Sequence, residues 1–344
     1  MVIHSKKPIV SVLSGQQINP PPIWLMRQAG RYLPEYQEIR NQGGGFFNLC
    51  FNPQKATEVT MQPIRRFNLD AAILFSDILV IPHALGQTVK FKASGGPYLK
   101  PISDYQEIKD FSAKDIQTTL SPIYQTVKNV SNLLSDTTAL IGFAGAPWTV
   151  AAYMVEGESS QNFTRAKKWA LGDPDGFENL INLLIEVTSA HLIQQVAFGA
   201  DVLQLFDSWS GLLPATAFDR FCVKPICEIV DRVKDTYPDV PIIVFPRGAG
   251  PKADQLAKHP RIDAISIDFS IEPSWAARKI QPYAAVQGNL DPVYLMVGGE
   301  ELYNQARKII NALSKGPHIF NLGHGIQPTT PVDNVHALIK AVRE

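Results

Sequence analysis

Short apolar runs rich in β-branched residues alternate with longer helical patterns through most of this 344-residue chain. The predicted strands cover 70–75, 139–143, 201–206, 241–245, 264–268, 284–287 and 318–322. Helical patterns lie between them, for example over 177–198, 217–236 and 300–312. Such alternation is typical of parallel βαβ units. It limits the chain to two architectures, a closed (β/α)8 barrel or an open doubly wound sheet.

The closed barrel needs an eighth strand, and the apolar run 23–26 is the candidate. Polar residues follow the predicted strands, and in both architectures the carboxyl ends of parallel strands share one edge. These residues are Asp77, Trp148, Tyr153, Asp207, Ser208, Arg247, Asp268, Asn289, Asp291 and His324. The sequence therefore predicts a site at that edge, although the periodicity by itself leaves both architectures open.

One segment, about 85–101, interrupts the alternation. Residues 86–91 alternate weakly, and 94–97 read Ser-Gly-Gly-Pro, which predicts an inserted β-hairpin. The hairpin has two interpretations, a wall or lid beside the site and a decoration without function. No linker divides the chain elsewhere, so we predict a single domain over 1–344 with an irregular N-terminal segment over about 1–22.

Composition limits the partners of this domain. Lysine plus arginine number 32, as do aspartate plus glutamate, so no global field attracts nucleic acid or an acidic membrane. The N-terminus lacks a signal-peptide stretch, and no run approaches transmembrane length. Cys50, Cys222 and Cys227 make neither a disulfide framework nor a metal-binding spacing. We expect a cytoplasmic protein without a metal, a nucleic acid partner or a membrane partner.

The stretch 23–36 places Arg27 and Arg31 in surroundings poor in charge. An arginine side chain grips a carboxylate or phosphate through two parallel hydrogen bonds. Gly30 permits backbone conformations that turn consecutive N–H groups toward a ligand. The stretch therefore predicts an anion clamp, and the alternative is a pair of surface charges at helical spacing.

This stretch and three others, 75–79 (Phe-Ser-Asp-Ile-Leu), 145–149 (Gly-Ala-Pro-Trp-Thr) and 321–325 (Asn-Leu-Gly-His-Gly), resemble motifs of the uroporphyrinogen decarboxylase family. The resemblance runs from about residue 21 to residue 325, in the family's order. It implies a distorted TIM-type barrel, which favours the barrel over the open sheet, and a homodimer. It also implies a cofactor-free carboxy-lyase of haem biosynthesis. That activity converts the four acetates of uroporphyrinogen III to methyl groups, giving coproporphyrinogen III and carbon dioxide.

Loss of carbon dioxide leaves electrons on the methylene carbon, and a pyrrole ring protonated at its neighbouring α-carbon accepts them. The site must therefore deliver a proton, stabilise a cationic ring and exclude water. Asp77 follows the strand 70–75, and the resemblance implies that it accepts hydrogen bonds from the pyrrole N–H groups. Its alternative role is to cap the following turn. Arg27 is too weak an acid to be an easy proton donor, so we assign it to electrostatics.

The resemblance also implies the substrate contacts. They correspond to Arg27, Gln28, Ala29, Gly30, Arg31, Asp77, Tyr153, Ser208 and His324. His324 stands between two glycines, which indicates close approach of a ligand. It donates a proton or binds a carboxylate there, whereas a lone histidine is otherwise structural. Ser208 has the alternative role of a loop-start residue. Arg40 is a further candidate for carboxylates, and Phe46 and Phe206 are candidates for the macrocycle face, against a simpler role as core aromatics.

Two other functions remain alternatives. A tetrapyrrole carrier would bind without reacting, but Asp77 argues against it because a binder of a polyanion gains nothing from a carboxylate at its site. A zinc- and corrinoid-dependent methyltransferase of a related barrel needs a His-x-Cys pair, which is absent, and His324 is followed by glycine. A dinucleotide site at 248–253 has little beyond its glycines in its favour.

Overall fold

The computed structural model describes residues 5–42, 44–91, 96–108, 111, 113 and 115–344. Its strands are β1 (Ala71–Ile73), β2 (Val89–Phe91), β3 (Pro97–Leu99), β4 (Ala139–Gly145), β5 (Val202–Asp207), β6 (Ile242–Pro246), β7 (Ala264–Ser266), β8 (Ala285–Leu290) and β9 (His318–Leu322). Seven of them form one parallel sheet in the order β1-β4-β5-β6-β7-β8-β9. All seven strands predicted from the sequence are present, and each pairs with its neighbour along the chain.

Helices connect consecutive strands of this sheet. They are α1 (Pro8–Leu13), α2 (Pro34–Asn41), α3 (Gly45–Cys50), α4 (Pro53–Phe67), α5 (Val80–Ala84), α6 (Tyr105–Ile108), α7 (Ile116–Leu133), α8 (Pro147–Glu156), α9 (Thr164–Gly172), α10 (Pro174–Ala197), α11 (Ala215–Phe218), α12 (Lys224–Thr236), α13 (Ala253–Ala257), α14 (Pro273–Lys279), α15 (Pro292–Val297), α16 (Gly299–Leu313) and α17 (Val332–Arg343). A π-helical segment, Asp219–Val223, joins α11 to α12, so the helix predicted over 217–236 is interrupted. The Asp173 side chain caps α10 by accepting a hydrogen bond from the Gly176 N–H, 3.0 Å away.

The predicted eighth strand, 23–26, is reduced to a single bridge. Ile23 pairs in parallel with Phe320 of β9, and the Phe320 N–H donates to the Pro22 carbonyl at 2.8 Å. On the other side, the Ile23 carbonyl accepts a hydrogen bond from the N–H of Asp70, which precedes β1, at 3.0 Å. The segment therefore occupies the eighth position between the two edge strands. A parallel ladder does not continue beyond Ile23, because the Met26 N–H bonds to the Asn321 side chain instead.

Alternation along the strands separates an inner core from an outer one. Ile141, Ile243 and Phe245 belong to the inner cluster with Trp24, while the intervening residues pack with the helices. A polar layer crosses this interior. The Gln287 amide donates to the Gln204 carbonyl oxygen at 3.1 Å and accepts from the Trp24 indole at 2.9 Å. The barrel is thus filled by side chains, and ligands must enter at an end.

The predicted hairpin is confirmed, because β2 and β3 pair antiparallel; the turn residues 92–95 lie outside the described residues. The Leu99 N–H donates to the Gly157 carbonyl at 2.7 Å, just beyond the end of α8. On its other flank, the Phe91 ring packs against Phe46 and Phe47 of α3, with centroids 5.0 and 5.6 Å away. These contacts attach the described part of the hairpin to the helices on both sides, and its role beside the site stays a prediction.

Helix α10 corrects one expectation, because it is long and apolar enough to span a bilayer by length and composition. About half of its apolar window, 56%, is buried inside the protein. Phe177, Leu184 and Leu192 are among its buried residues. A helix that packs by one face against its neighbours has the character of a core helix.

The three cysteines are free thiols, and Cys50 and Cys222 are buried. Burial raises the pKa of Cys50 and Cys222 well above the usual range, and it raises the pKa of Cys227 to about 11. Protonated thiols are poor nucleophiles and poor metal ligands, so these cysteines have the character of inert thiols.

Candidate active site

Arg27 stands at the point where the chain leaves the eighth position of the barrel. Its backbone is left-handed, with φ of 60°, whereas no left-handed φ occurs at Gly30. The expectation that Gly30 provides the unusual conformation is therefore wrong, and the strained residue is Arg27 itself. Residues 27 and 31 also precede α2, so Arg27 and Arg31 do not share a helix as the alternative interpretation required, although both residues are exposed to solvent.

The motif 321–325 explains how Arg27 is held. The side-chain Oδ1 of Asn321 accepts a hydrogen bond from the Met26 N–H at 3.0 Å, and the Ile326 N–H donates to the Met26 carbonyl at 2.9 Å. A Cβ at Gly325 would collide with the aliphatic part of the Arg27 side chain. Arg27 keeps access to solvent, yet the protein around it lowers the pKa of its guanidinium, with a further contribution from nearby positive charges.

Asp77 follows β1, and the structure shows the turn-capping role considered for it, while its contact with the pyrrole N–H groups stays a prediction. One carboxylate oxygen, Oδ1, accepts a hydrogen bond from the Leu79 N–H at 2.8 Å, which caps the turn. Burial raises the pKa of Asp77 to about 6, although the Leu79 N–H and the charge of Arg27 act in the opposite direction. The carboxylate is thus held near the cation of Arg27, without a direct ion pair among the described residues.

The electrostatic neighbours of Arg27 define the rest of the cleft. They are Asp77, Tyr153, Arg31 and Arg247. Burial raises the pKa of Tyr153, with Asp77 acting in the same direction and the two arginines 27 and 247 against it. His324 responds to Arg27, Arg247 and Asp268. The structure therefore brings five of the predicted residues, Arg27, Arg31, Asp77, Tyr153 and His324, to the carboxyl ends of the strands.

His324 is neutral in this arrangement. Burial lowers its pKa to about 3, and the positive charges of Arg27 and Arg247 lower it further than Asp268 raises it. A neutral imidazole donates a hydrogen bond to a carboxylate but holds no extra acidic proton near neutral pH. The flanking glycines have packing reasons, because a Cβ at Gly323 would collide with the Phe269 backbone and one at Gly325 with Arg27. Packing therefore accounts for these glycines without a ligand, and the close approach of a ligand to His324 stays a prediction.

The side chain of Gln28 forms hydrogen bonds within the protein, so its role is structural. Its amide oxygen accepts from the Leu25 N–H at 3.2 Å, and its amide nitrogen donates to the Ala71 carbonyl at 3.1 Å. Its backbone carbonyl accepts from the Tyr32 hydroxyl at 2.7 Å. Gln28 thereby joins the Arg27 loop to β1. Ala29 and Gly30 are half-buried beside it, and their N–H groups have no hydrogen-bond acceptor among the described residues.

The motif 145–149 supports the neighbouring wall. The Thr149 hydroxyl donates to Oδ1 of Asp207 at 2.6 Å and accepts from the Trp209 N–H at 3.0 Å. The Trp148 indole donates to the Trp209 carbonyl at 3.0 Å. These bonds fix the loop that carries Ser208, which is half-buried. Ser208 therefore follows a strand end as predicted, on a loop tied to the helix that carries Tyr153.

The additional candidates lie at the periphery of this cleft. Burial raises the pKa of Tyr36, and the positive charges of Arg40 and Arg31 act in the opposite direction. Phe46 contacts Phe75 edge-on, with ring centroids 5.5 Å apart. Phe206 is half-buried and contacts Phe143 and Phe245 at centroid distances of 5.5 and 6.1 Å. It therefore lies at the edge of the inner core.

Two residues of this cleft had no assigned role in the sequence, Arg247 and Trp209. Arg247 follows β6, and its position after a strand end was the only signal that could have identified it. Trp209 follows Ser208, and its ring stands 6.3 Å from the Tyr153 ring. Two surface depressions lie elsewhere and include no predicted site residue, one lined by Glu35, Arg66 and His336 and the other by Lys167, Lys168 and Leu171.

The fold and this cleft define a parallel β/α barrel protein with a cluster of cationic side chains around one carboxylate at the carboxyl ends of its strands. The family description "Uroporphyrinogen decarboxylase (URO-D)" matches residues 4–344. The chain belongs to the uroporphyrinogen decarboxylase family.

Curated relatives agree over nearly the full length. Uroporphyrinogen decarboxylase of Rhodospirillum rubrum is 46% identical over 98% of this chain and 97% of that protein. The one of Mesorhizobium japonicum is 49% identical over 97% of both chains. Among solved structures, a methyltransferase from Methanosarcina mazei has a TM-score of 0.81, with 16% identity over 98% of both chains. That likeness confirms the fold.

Proposed function

We propose that this protein is a uroporphyrinogen decarboxylase, which converts the four acetate side chains of uroporphyrinogen III to methyl groups in haem biosynthesis. The products are coproporphyrinogen III and carbon dioxide. One observation carries the proposal beyond family membership: a half-buried carboxylate, Asp77, stands among guanidinium groups that have no acidic partner among the described residues. A cleft of this kind suits a ligand with carboxylates at its rim and a centre that becomes positive.

Asp77 is proposed to act on that centre. Its Oδ1 is oriented by the Leu79 N–H, which leaves Oδ2 for the pyrrole N–H groups. A carboxylate whose pKa is raised by burial is unfavourable as an anion in the empty site. It becomes favourable when the protonated pyrrole ring carries positive charge, which is when the barrier is crossed.

The arginines are proposed to hold peripheral carboxylates. Arg27 and Arg31 supply charge-assisted hydrogen bonds, and the free N–H groups of Ala29 and Gly30 lie between them in the chain. A carboxylate gripped by arginine is stabilised as an anion, and its loss as neutral carbon dioxide is hindered. The reacting acetate is therefore not the one that is held most tightly. His324 and Tyr153 donate hydrogen bonds to the remaining carboxylates, with Ser208 beside them.

We further propose that the reaction needs no cofactor and no metal ion, because a protonated pyrrole ring is its own electron acceptor. The expected state is a cytoplasmic homodimer without nucleic acid or membrane partners. The balanced charge of the chain and its free thiols support this setting.

The test is anaerobic incubation of the purified protein with uroporphyrinogen III, followed by oxidation and separation of the porphyrins by carboxyl number. Products with seven, six, five and four carboxyls are expected to appear in succession. Unchanged substrate bound to the protein would instead identify a tetrapyrrole carrier. Activity lost with a strong chelator and restored by zinc would contradict the metal-free proposal.

A further inference from the structure

Arg247 is held in place by an unusually complete set of backbone contacts. Its N–H donates to the Asp207 carbonyl at 3.1 Å, and its carbonyl accepts from the Ser210 hydroxyl at 3.1 Å and the Gly211 N–H at 3.2 Å. The next residue, Gly248, donates its N–H to the buried Asp268 carboxylate at 2.6 Å. The base of this side chain is thus fixed at the end of β6.

The guanidinium of Arg247 has no acidic partner among the described residues. It lies over the Trp209 ring, 6.0 Å from the centroid, and this cation–π contact orients it without neutralising it. Two arginines on the outer surface show the contrast. Arg66 pairs with Glu35 at 2.7 Å, and Arg220 pairs with Glu178 at 2.7 Å. A half-buried, oriented and unpaired guanidinium is a binding group for an anion that comes from outside the chain.

The topology places Arg247 across the barrel from Arg27. The segment 23–26 fills the position between β9 and β1, and β6 is the fourth strand from it in either direction. Trp209 connects Arg247 to the cleft through its contact with Tyr153. The indole nitrogen of Trp209 is buried without a hydrogen bond of good geometry, and it approaches the Tyr153 hydroxyl closely enough to affect its pKa.

We propose that Arg247, oriented by Trp209, binds a peripheral carboxylate of the tetrapyrrole on the side of the cleft opposite Arg27. This inference rests on the proposed function for the identity of the ligand. It adds a third cation to Arg27 and Arg31 and makes the clamp two-sided. A ligand gripped from one side only is free to tilt, whereas contacts on opposite sides fix the plane of a flat macrocycle.

The experiment measures binding of uroporphyrin I, the air-stable octacarboxylic porphyrin, by its fluorescence to the parent protein and to Arg247→Gln, Arg247→Lys and Arg232→Ala. Arg232 pairs with Glu228 on the exposed face of α12, so its variant removes one positive charge away from the site. Arg247→Gln is expected to weaken binding about tenfold, the effect of losing one charge-assisted hydrogen bond. It should also reduce the dependence of affinity on salt. Arg247→Lys should recover part of the affinity, and Arg232→Ala should match the parent.

A second measurement uses uroporphyrinogen III anaerobically, where Arg247→Gln should raise KM about tenfold and change kcat less. Circular dichroism and the thermal midpoint establish that each variant is folded. Parental KM and affinity in folded Arg247→Gln would overturn the inference while leaving the decarboxylase proposal intact. If the protein bound uroporphyrin I through Arg247 but did not decarboxylate uroporphyrinogen III, the proposed function would be wrong and the anion site at Arg247 would be supported.

Discussion

Three strands of the barrel, β1, β5 and β7, carry an aspartate at each end, and the two ends use this residue differently. At the amino ends stand Asp70, Asp201 and Asp263, and at or just beyond the carboxyl ends stand Asp77, Asp207 and Asp268. The residue type and the strands are the same. The groups that bind these aspartates differ between the two ends. The amino-end aspartates contribute to stability, whereas the carboxyl-end aspartates lie where the function is expected.

The amino ends repeat one arrangement. Asp201 accepts the Leu140 N–H at 2.8 Å and pairs with Lys7 at 2.6 Å. Asp263 accepts the Ile242 N–H at 2.7 Å and pairs with Lys234 at 2.8 Å. Asp70 follows the same plan with the Ile23 N–H and, at 3.6 Å, Arg343. Each carboxylate joins its own strand to an N–H at the start of the neighbouring one, and a cation balances its charge.

The carboxyl ends have no such cation among the described residues. Asp207 accepts from the Thr149 hydroxyl through Oδ1, and burial raises its pKa to about 6, as it does for Asp77, although hydrogen bonds from Thr149 and Cys222 act in the opposite direction. Burial also raises the pKa of Asp263 at the amino end, where Lys234 acts against it. Arg27, Arg31 and Arg247 supply the positive charge at this end, and none of them forms an ion pair with a carboxylate among the described residues. Charge left unpaired at one end only is the pattern expected where a ligand completes the site.

The largest effect is expected from Asp77→Asn, which keeps the size of the side chain and removes its charge. Loss of electrostatic stabilisation of the cationic ring should lower kcat by roughly two to three powers of ten, with binding largely preserved. Asp77→Glu keeps the charge and should retain partial activity. Steady-state kinetics of both variants test this prediction. Nearly parental rates for Asp77→Asn together with an inactive Asp77→Glu would show that Asp77 contributes geometry and not charge.

Asp77→Asn should keep or gain folding stability, although it loses activity. The folded-state pKa of Asp77 lies above its ordinary value of 3.8, so its contribution to stability decreases as pH rises from about 4 to about 6. Near neutral pH the negative charge of Asp77 therefore destabilises the folded state. Asp77→Asn should unfold at an equal or higher denaturant concentration than the parent.

At the amino end, Asp263→Asn should destabilise the fold and spare the chemistry. It leaves the ammonium of Lys234, whose side chain is only 8% exposed, without its partner. We expect a loss of about 3 kcal/mol in urea unfolding with kcat unchanged. Asp175→Asn is the matched control, because Asp175 is 94% exposed in its pair with Arg220, and its loss should change stability by less than about 1 kcal/mol. A fall in kcat for folded Asp263→Asn would remove the distinction between the two ends.

Arg31→Ala should raise KM about tenfold and change kcat much less, because Arg31 holds a carboxylate that does not react in that step. The kinetic split is measured with uroporphyrinogen III under anaerobic conditions. The reverse pattern, a lower kcat at unchanged KM, would assign Arg31 to the chemical step.

The smallest effect concerns pH and separates Asp77 from His324. Asp77 must be ionised, so kcat/KM should fall about tenfold per pH unit below a pKa of about 6. His324 has a pKa of about 3 and stays neutral through this range. His324→Gln should therefore lower activity modestly and keep the acidic limb of the profile, whereas the residual activity of Asp77→Asn should lack it. If His324→Gln lost the acidic limb of the pH profile, that limb would report the titration of the His324 imidazole instead of Asp77.

Much of the fold was predictable from local pattern. The seven strands depend on residues that are near in sequence, and they appear as predicted. The eighth strand was not predictable in its final form, because the Met26 N–H finds the side chain of Asn321, nearly three hundred residues away. Gln28 likewise carried no local sign that its amide would join the Leu25 N–H to the Ala71 carbonyl.

The sequence by itself determined the order of strands and helices and the placement of polar residues after strand ends, because hydrophobic periodicity and turn chemistry act over a few residues. It also determined the family, through motifs that remain contiguous in the chain. Only the tertiary structure decided which charges find partners. Asp263 meets Lys234 while Arg247 meets only the face of Trp209, and nothing in the neighbouring sequence distinguishes these two outcomes. The free energy of a charge depends on the groups that the whole barrel brings around it, and those groups come from distant loops.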